Sequence, residues 1–272
     1  NHPCRFQLPY SYQLFSTSFH VGYQNMSMRV DEKNFTAATF VSLGEKCKLG
    51  DIKADNTNWG NSYIMFLDKD GATEKIVDEN LGNVDKAFYF VNSAEADEWG
   101  CDIGWYLMAD EETLYPYNDM EVKFGQGYEF VCQDIGASLT YAGSVAEGTT
   151  DLPMNVDEKN FTAFIVPRAG TMGDMIAKNT NWGNSYIMFL DKDGATEKIV
   201  DENLGNVDKA FYYVNPDEAT EWGCDVGWYL MADEETLYPY NDMPLAAGEG
   251  FEFVCQDVGA ILQMPAAIPA KE

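Results

Sequence analysis

The chain has 272 residues, 46% hydrophobic and 14% aromatic, enough apolar material for one or two ordinary cores, which excludes a disordered polymer. Its 45 Asp and Glu against 17 Lys and Arg leave a formal charge of -28. A polyanion of this kind repels phosphate backbones and anionic headgroups, so nucleic acid and membrane surfaces are not expected as partners, and apolar runs far short of the roughly 20 residues a bilayer span needs predict no membrane insertion.

In chain order, residues 1–27 come first and match nothing later. Tyr10, Tyr12 and Leu14 alternate with polar neighbours, as do Phe19, Val21 and Tyr23, which predicts two strands with one apolar face. Such an arm either adds to a sheet edge of another subunit or completes the sheet of the segment that follows it. The chain starts at Asn1 with no hydrophobic leader, as expected of a secreted chain whose signal has been removed.

A duplication organises the rest. Met28-Arg29-Val30-Asp31-Glu32-Lys33-Asn34-Phe35-Thr36-Ala37 returns as Met154-Asn155-Val156-Asp157-Glu158-Lys159-Asn160-Phe161-Thr162-Ala163, and Asn56 to Tyr89 is repeated without change at Asn179 to Tyr212. The unit is about 120 residues, the size of a domain rather than of a solenoid repeat. The joint is placed in Ala146 to Pro153, giving an arm (1–27) and two repeat domains, 28–150 and 151–272. Ala38 to Asp55 and Phe164 to Lys178 differ most, so loops or edge strands are expected there.

Each unit reads as β. Asn61 to Leu67 runs into Asp68-Lys69-Asp70-Gly71, an apolar run ended by Asp-Gly and therefore a hairpin signal. Lys86 to Val91, Gly104 to Met108, Tyr128 to Cys132 and Ser138 to Tyr141 are further strands. Asn215-Pro216-Asp217-Glu218, matched by Asn92-Ser93-Ala94-Glu95, has the N-cap and acidic first turn of one short helix. The predicted class is all-β, two tandem β-sandwich or barrel-like domains with an extended N-terminal arm. Where the first unit ends Leu139 to Val145, the second has Leu262-Gln263-Met264-Pro265, so its last strand is expected to be altered or missing.

Gly104-Trp105-Tyr106 followed by Gly125-Gln126-Gly127-Tyr128, with Gly227-Trp228-Tyr229 and Gly248-Glu249-Gly250-Phe251 in the second copy, resembles repeat modules of large secreted β-rich bacterial proteins. The resemblance covers the C-terminal half of each unit. It implies an exported β domain and assigns no activity.

Cys101 and Cys132 share their spacing with Cys224 and Cys255, and an in-unit bridge in each copy is the simplest pairing. Cys4 and Cys47 have no counterparts, and a bridge between them would staple the arm to the first unit. The alternative is buried free thiols.

Histidine occurs only as His2 and His20, which excludes a His-dependent nucleophilic centre or zinc site inside the repeats. Paired acids alone can hydrolyse glycosides, and Asp110, Glu111 and Glu112 are the candidates, although solvated acids in a turn are ordinary. Asp68, Asp70, Asp191 and Asp193 are weak calcium candidates, because the Gly falls at the fourth position of the loop and not the sixth. Trp59, Trp99 and Trp105, with Trp182, Trp222 and Trp228, either pack the core or stack on a glycan. Asn25, Asn34 and Asn160 head N-glycosylation triplets.

Taken together, these features predict a non-enzymatic, extracellular subunit that assembles with itself head to tail into a filament or surface layer, its arm bridging subunits, with no cofactor beyond calcium. The alternative is a tandem carbohydrate-binding or adhesive module, whose duplication raises avidity.

Overall fold

The computed structural model describes residues 21–39, 47–108, 113–145, 148–231 and 236–267. In the first half, β1 (Val21–Ser27), β2 (Glu32–Ala37), β3 (Ile52–Asp55), β4 (Tyr63–Phe66), β5 (Lys75–Asp78), β6 (Gly82–Asp85), β7 (Ala87–Val91), β8 (Gly104–Leu107), β9 (Gly127–Cys132) and β10 (Ser138–Ser144) follow in order, with helix α1 (Ser93–Trp99) after β7. They form a three-stranded sheet β1-β10-β3, a five-stranded sheet β2-β9-β4-β7-β8 and the hairpin β5-β6. Alternation sets what each sheet buries: along β9, Tyr128, Phe130 and Cys132 join one core cluster with Ile64, Phe66, Phe88 and Phe90 of the same sheet and Ile52, Leu139 and Tyr141 of the other. The indole N–H of the fully buried Trp105 donates to the Ile52 carbonyl at 2.6 Å, tying the two layers together. This is a β-sandwich, and the described residues form no closed barrel.

The second half repeats the plan with β11 (Thr150–Pro153), β12 (Glu158–Ala163), β13 (Gly170–Thr171), β14 (Ile176–Lys178), β15 (Tyr186–Phe189), β16 (Lys198–Asp201), β17 (Gly205–Asp208), β18 (Ala210–Val214), helix α2 (Pro216–Trp222), β19 (Gly227–Leu230), β20 (Pro244–Leu245), β21 (Gly250–Cys255) and β22 (Ile261–Met264). Its sheets are β11-β22-β14 and β12-β21-β15-β18-β19, with the small ladder β13-β20. One expectation is narrowed and another changes. The last strand is shortened, not missing: β22 pairs with both β11 and β14, and its Leu262 and Met264 are buried. The segment read as a joint up to Pro153 is strand from Thr150, and β1 is its counterpart in the first half, since both pair antiparallel with the final strand of their own half. Val21 and Tyr23 therefore lie in a strand completed within the chain, while Tyr10, Tyr12, Leu14 and Phe19 lie outside the described residues.

The two expected in-unit disulfides are absent: among the described residues Cys47, Cys101, Cys132, Cys224 and Cys255 are free thiols. The five-stranded sheet stands between the two cysteines of each in-unit pair. Cys132 packs with Phe88, Phe90 and Trp105 on the inner face, whereas Cys101, just past the end of α1, packs with Val91, Ala96 and Tyr106 on the outer one. Cys224 and Cys255 are separated in the same way. Cys4, the other half of the proposed staple to Cys47, lies outside the described residues.

Both helices have the expected caps. Asn92 accepts from the N–H groups of Ala94 and Glu95, Glu95 answers to the Asn92 N–H, and Gly100 ends the helix in the left-handed region at φ 68°. Glu95 also accepts from the Trp59 N–H at 2.8 Å, so the cap holds the preceding loop as well. That loop has a second anchor in the buried Asp134, which accepts from the Asn58 N–H (3.1 Å), the Asn58 and Asn61 amides (2.7 and 3.0 Å) and the Ser62 hydroxyl (2.6 Å). Asp257 repeats the arrangement with Asn181, Asn184 and Ser185. Burial opposes ionisation of Asp134, but the hydrogen bonds from Ser62, Asn61 and Asn58 outweigh it and hold the carboxyl below its ordinary 3.8. Its contribution to stability is therefore present above pH 3.8 and lost as pH falls through the lower folded value. Asp134→Ala strands several of these donors, and urea unfolding should register a loss of about 3 kcal/mol. Ile135→Ala, one residue on and 89% exposed, should change stability by less than about 0.5 kcal/mol.

Candidate functional site at the seam between the halves

β2 and β12 are edge strands of their sheets, and an unpaired edge is a template for further pairing. Here each edge is met by the other half. The Lys33 N–H donates to the Lys192 carbonyl at 3.0 Å, and the Lys159 N–H to the Lys69 carbonyl at 3.0 Å, so the two Asp-Lys-Asp-Gly turns clasp the halves reciprocally. Within its turn, Asp68 accepts from the N–H groups of Asp70 and Ala72 at 2.9 Å, and Asp70 pairs with Lys69 at 3.0 Å. Asp191 and Asp193 do the same with Lys192. The four calcium candidates thus shape and neutralise the clasp, and among the described residues no group of three or more His, Cys, Asp or Glu could hold a metal ion.

Behind the clasp the backbones touch. A Cβ on Gly127 would fall inside the carbonyl group of Phe161, and one on Gly250 inside that of Phe35. The second Gly of each Gly-x-Gly motif is therefore required by face-to-face approach of β9 to β12 and of β21 to β2. The first Gly is also crowded, Gly125 by Leu152 and Gly248 by Met26. Ala37 of the first half enters the second core, and Phe124 packs against it.

Two residues on from these glycines, and so on the same face of their strands, lie Glu129 and Glu252, each 1% exposed. Lys33 stands 3.4 Å from Glu129 and Lys159 3.3 Å from Glu252, while the second oxygen of each carboxylate has no hydrogen-bond partner among the described residues. Burial raises both acids above their ordinary range, and the half-exposed lysines offset this only partly.

One side of the seam opens into a cleft of about 550 Å³. Its floor is apolar, formed by Met26, Met28, Phe35, Phe189, Ala246 and Ala247. Its rim carries four acids, Glu32, Asp191, Glu197 and Glu249, of which Glu32 pairs with Arg29 and both Glu197 and Glu249 pair with Lys209 at 2.9 Å, and it also carries Lys192. Ala246 and Ala247 stand where the first half has Lys123 and Phe124. The arrangement can bind an apolar group with a neutral or cationic flank.

Elsewhere the predicted residues divide. Trp105 and Trp228 are wholly buried, and Trp59 and Trp182 are half-buried hubs. Trp59 makes ring contacts with Tyr89 (5.0 Å), Trp99 (5.7 Å) and Tyr106 (6.4 Å) at steep angles. The accessible rings are Trp99 and Trp222, 40% and 42% exposed. Asn34 and Asn160 each spend their amide nitrogen on three backbone carbonyls, which closes them to glycosylation in the folded chain. Asn25 lies in β1, and Asp110, Glu111 and Glu112 fall outside the described residues. No helix among the described residues is long and apolar enough to cross a membrane. Comparison with protein-family models, curated proteins and solved structures finds no match, so the resemblance to secreted repeat modules stands on its motif alone.

Gly127→Ala forces the halves apart. It should cost about 2–3 kcal/mol and split the calorimetric unfolding peak, whereas a single unshifted peak would mean the seam does not couple the halves. The raised acids have the opposite sign to Asp134. Their contribution is full below the unfolded value of 4.5 and is lost as pH rises through the higher folded one. Glu129→Gln with Glu252→Gln should therefore raise Tm at pH 7 and leave it nearly unchanged at pH 4, by differential scanning fluorimetry.

Proposed function

We propose that the chain is a non-enzymatic structural subunit of an extracellular assembly, a filament or surface layer. The supporting observation is a set of large apolar side chains exposed at matching positions of the two halves: Val77 and Val200 (78% and 79%), Ile135 and Val258 (89% and 86%), and Ile103 and Val226 (53% and 41%). In the last two pairs the residue differs between the copies while its apolar character is kept, at turn and loop positions where polar residues are ordinary. Two copies of each exposed apolar position on a clasped block let each subunit touch two neighbours, and contacts of that kind continue into an array when the rotation does not close. The extracellular placement rests on the motif resemblance, because free thiols remove the disulfide argument for it.

A glycan-binding reading has its own support in the exposed rings of Trp99 and Trp222. Negative-stain electron microscopy with light scattering, with and without calcium, separates the two. Regular arrays that vanish in the Ile135→Asp, Val258→Asp double variant are expected. A monomer under every condition, together with glycan-array binding lost on Trp99→Ala and Trp222→Ala, would replace the assembly reading.

A further inference from the structure

The cleft at the seam lacks a ring that its counterpart position has. Phe124 packs against the core of the opposite half, while Ala247, its equivalent, lines the open cleft beside Met26, Phe35 and Phe189. An aromatic side chain is therefore the group that this space is shaped to accept. The rim's four carboxylates stand against Arg29, Lys192 and Lys209, which bridges Glu197 and Glu249, so it is acidic by one charge and favours a ring carried on a segment without acids.

One segment of the chain meets both demands. Residues 1–20 contain Phe6, Tyr10, Tyr12, Phe15 and Phe19, together with Arg5 and both histidines, and no Asp or Glu. All 45 acids lie beyond them against 16 bases (17 less Arg5), so residues 21–272 carry a charge of -29. Two such bodies repel each other, and the first 20 residues are the part of the chain that approaches another copy without that penalty. β1 runs from Val21, paired with Ser144, toward Met26 at the cleft, so the chain enters the strand roughly 17 Å from its own cleft. Twenty extended residues reach at most roughly 72 Å, enough to cross to a neighbour. We propose that residues 1–20 of one copy dock an aromatic side chain into the seam cleft of a second copy. This deepens the assembly reading by naming its contact.

The test uses the full chain in two isotope-labelled batches, mixed, with Phe6, Tyr12 or Phe19 replaced in turn by a benzophenone amino acid. Irradiation should give mixed-isotope cross-links to Met26–Thr36, Leu190–Lys192 or Ala246–Gly250. Ala247→Phe, which fills the space, should cut their yield about tenfold, equivalent to roughly 1.4 kcal/mol of docking energy. Near-UV circular dichroism checks that this variant folds, and excess synthetic peptide of residues 1–20 should compete the same cross-links away on the unaltered chain. Same-isotope links only, links outside the cleft, or yields indifferent to both Ala247→Phe and the peptide would overturn the proposal. Arrays seen by microscopy with links elsewhere would end this inference and leave the assembly reading standing. Mixed links in the cleft from particles that never grow into arrays would uphold the docking and end the array reading.

Discussion

The close approach of two backbones at Gly127 and Gly250 is the constraint on which the rest of the molecule depends. Without side chains there, β12 can lie against β9 and β2 against β21, and only then do the Lys69 and Lys192 carbonyls reach the free edges of the opposite halves. The same approach buries Glu129 and Glu252, admits Ala37 and Phe124 to the second core, and leaves the cleft beside Ala247. Two sandwiches that each have their own core become one body through this contact.

The seam also reassigns side chains that look chemical in isolation. Asp-Lys-Asp-Gly is acidic enough to invite a cation, yet one Asp is spent on backbone N–H groups and the other on its neighbouring Lys, so the turn exports a carbonyl rather than charge. Asn34 and Asn160 sit in glycosylation triplets but act as braces for the turn that enters β2 or β12. Opposed to these satisfied groups are the buried glutamates, whose ionisation the seam disfavours. Their burial makes the contact between the halves sensitive to pH in the direction opposite to the aspartate anchors of the loops.

The strands, the hairpin turn and the helix caps were legible in the sequence because each is a local rule: alternation for β9, Asp-Gly for the turn, Asn with Glu three residues later for α1 and α2. The expected disulfides failed because spacing along a chain is silent about which face of a sheet a residue occupies, and Cys101 and Cys132 lie on opposite faces. β11 was hidden in a segment that looked like a linker, since Thr150 to Pro153 has only Leu152 to signal a buried face. Gly127 was visible as part of a motif, but its cause is a neighbour more than thirty residues away in the other copy.

By itself the sequence determined the duplication, the all-β class, the acidic body and the acid-free opening segment, because composition and periodicity are properties of the chain. Only the tertiary structure decided that the copies are joined through a reciprocal seam, that Trp59 is a hub while Trp99 is accessible, and that replacing Phe124 by Ala247 borders a cleft. Those outcomes depend on which surfaces meet across long sequence separation, and identical local sequences can bury or expose the same side chain according to what the other half places against it.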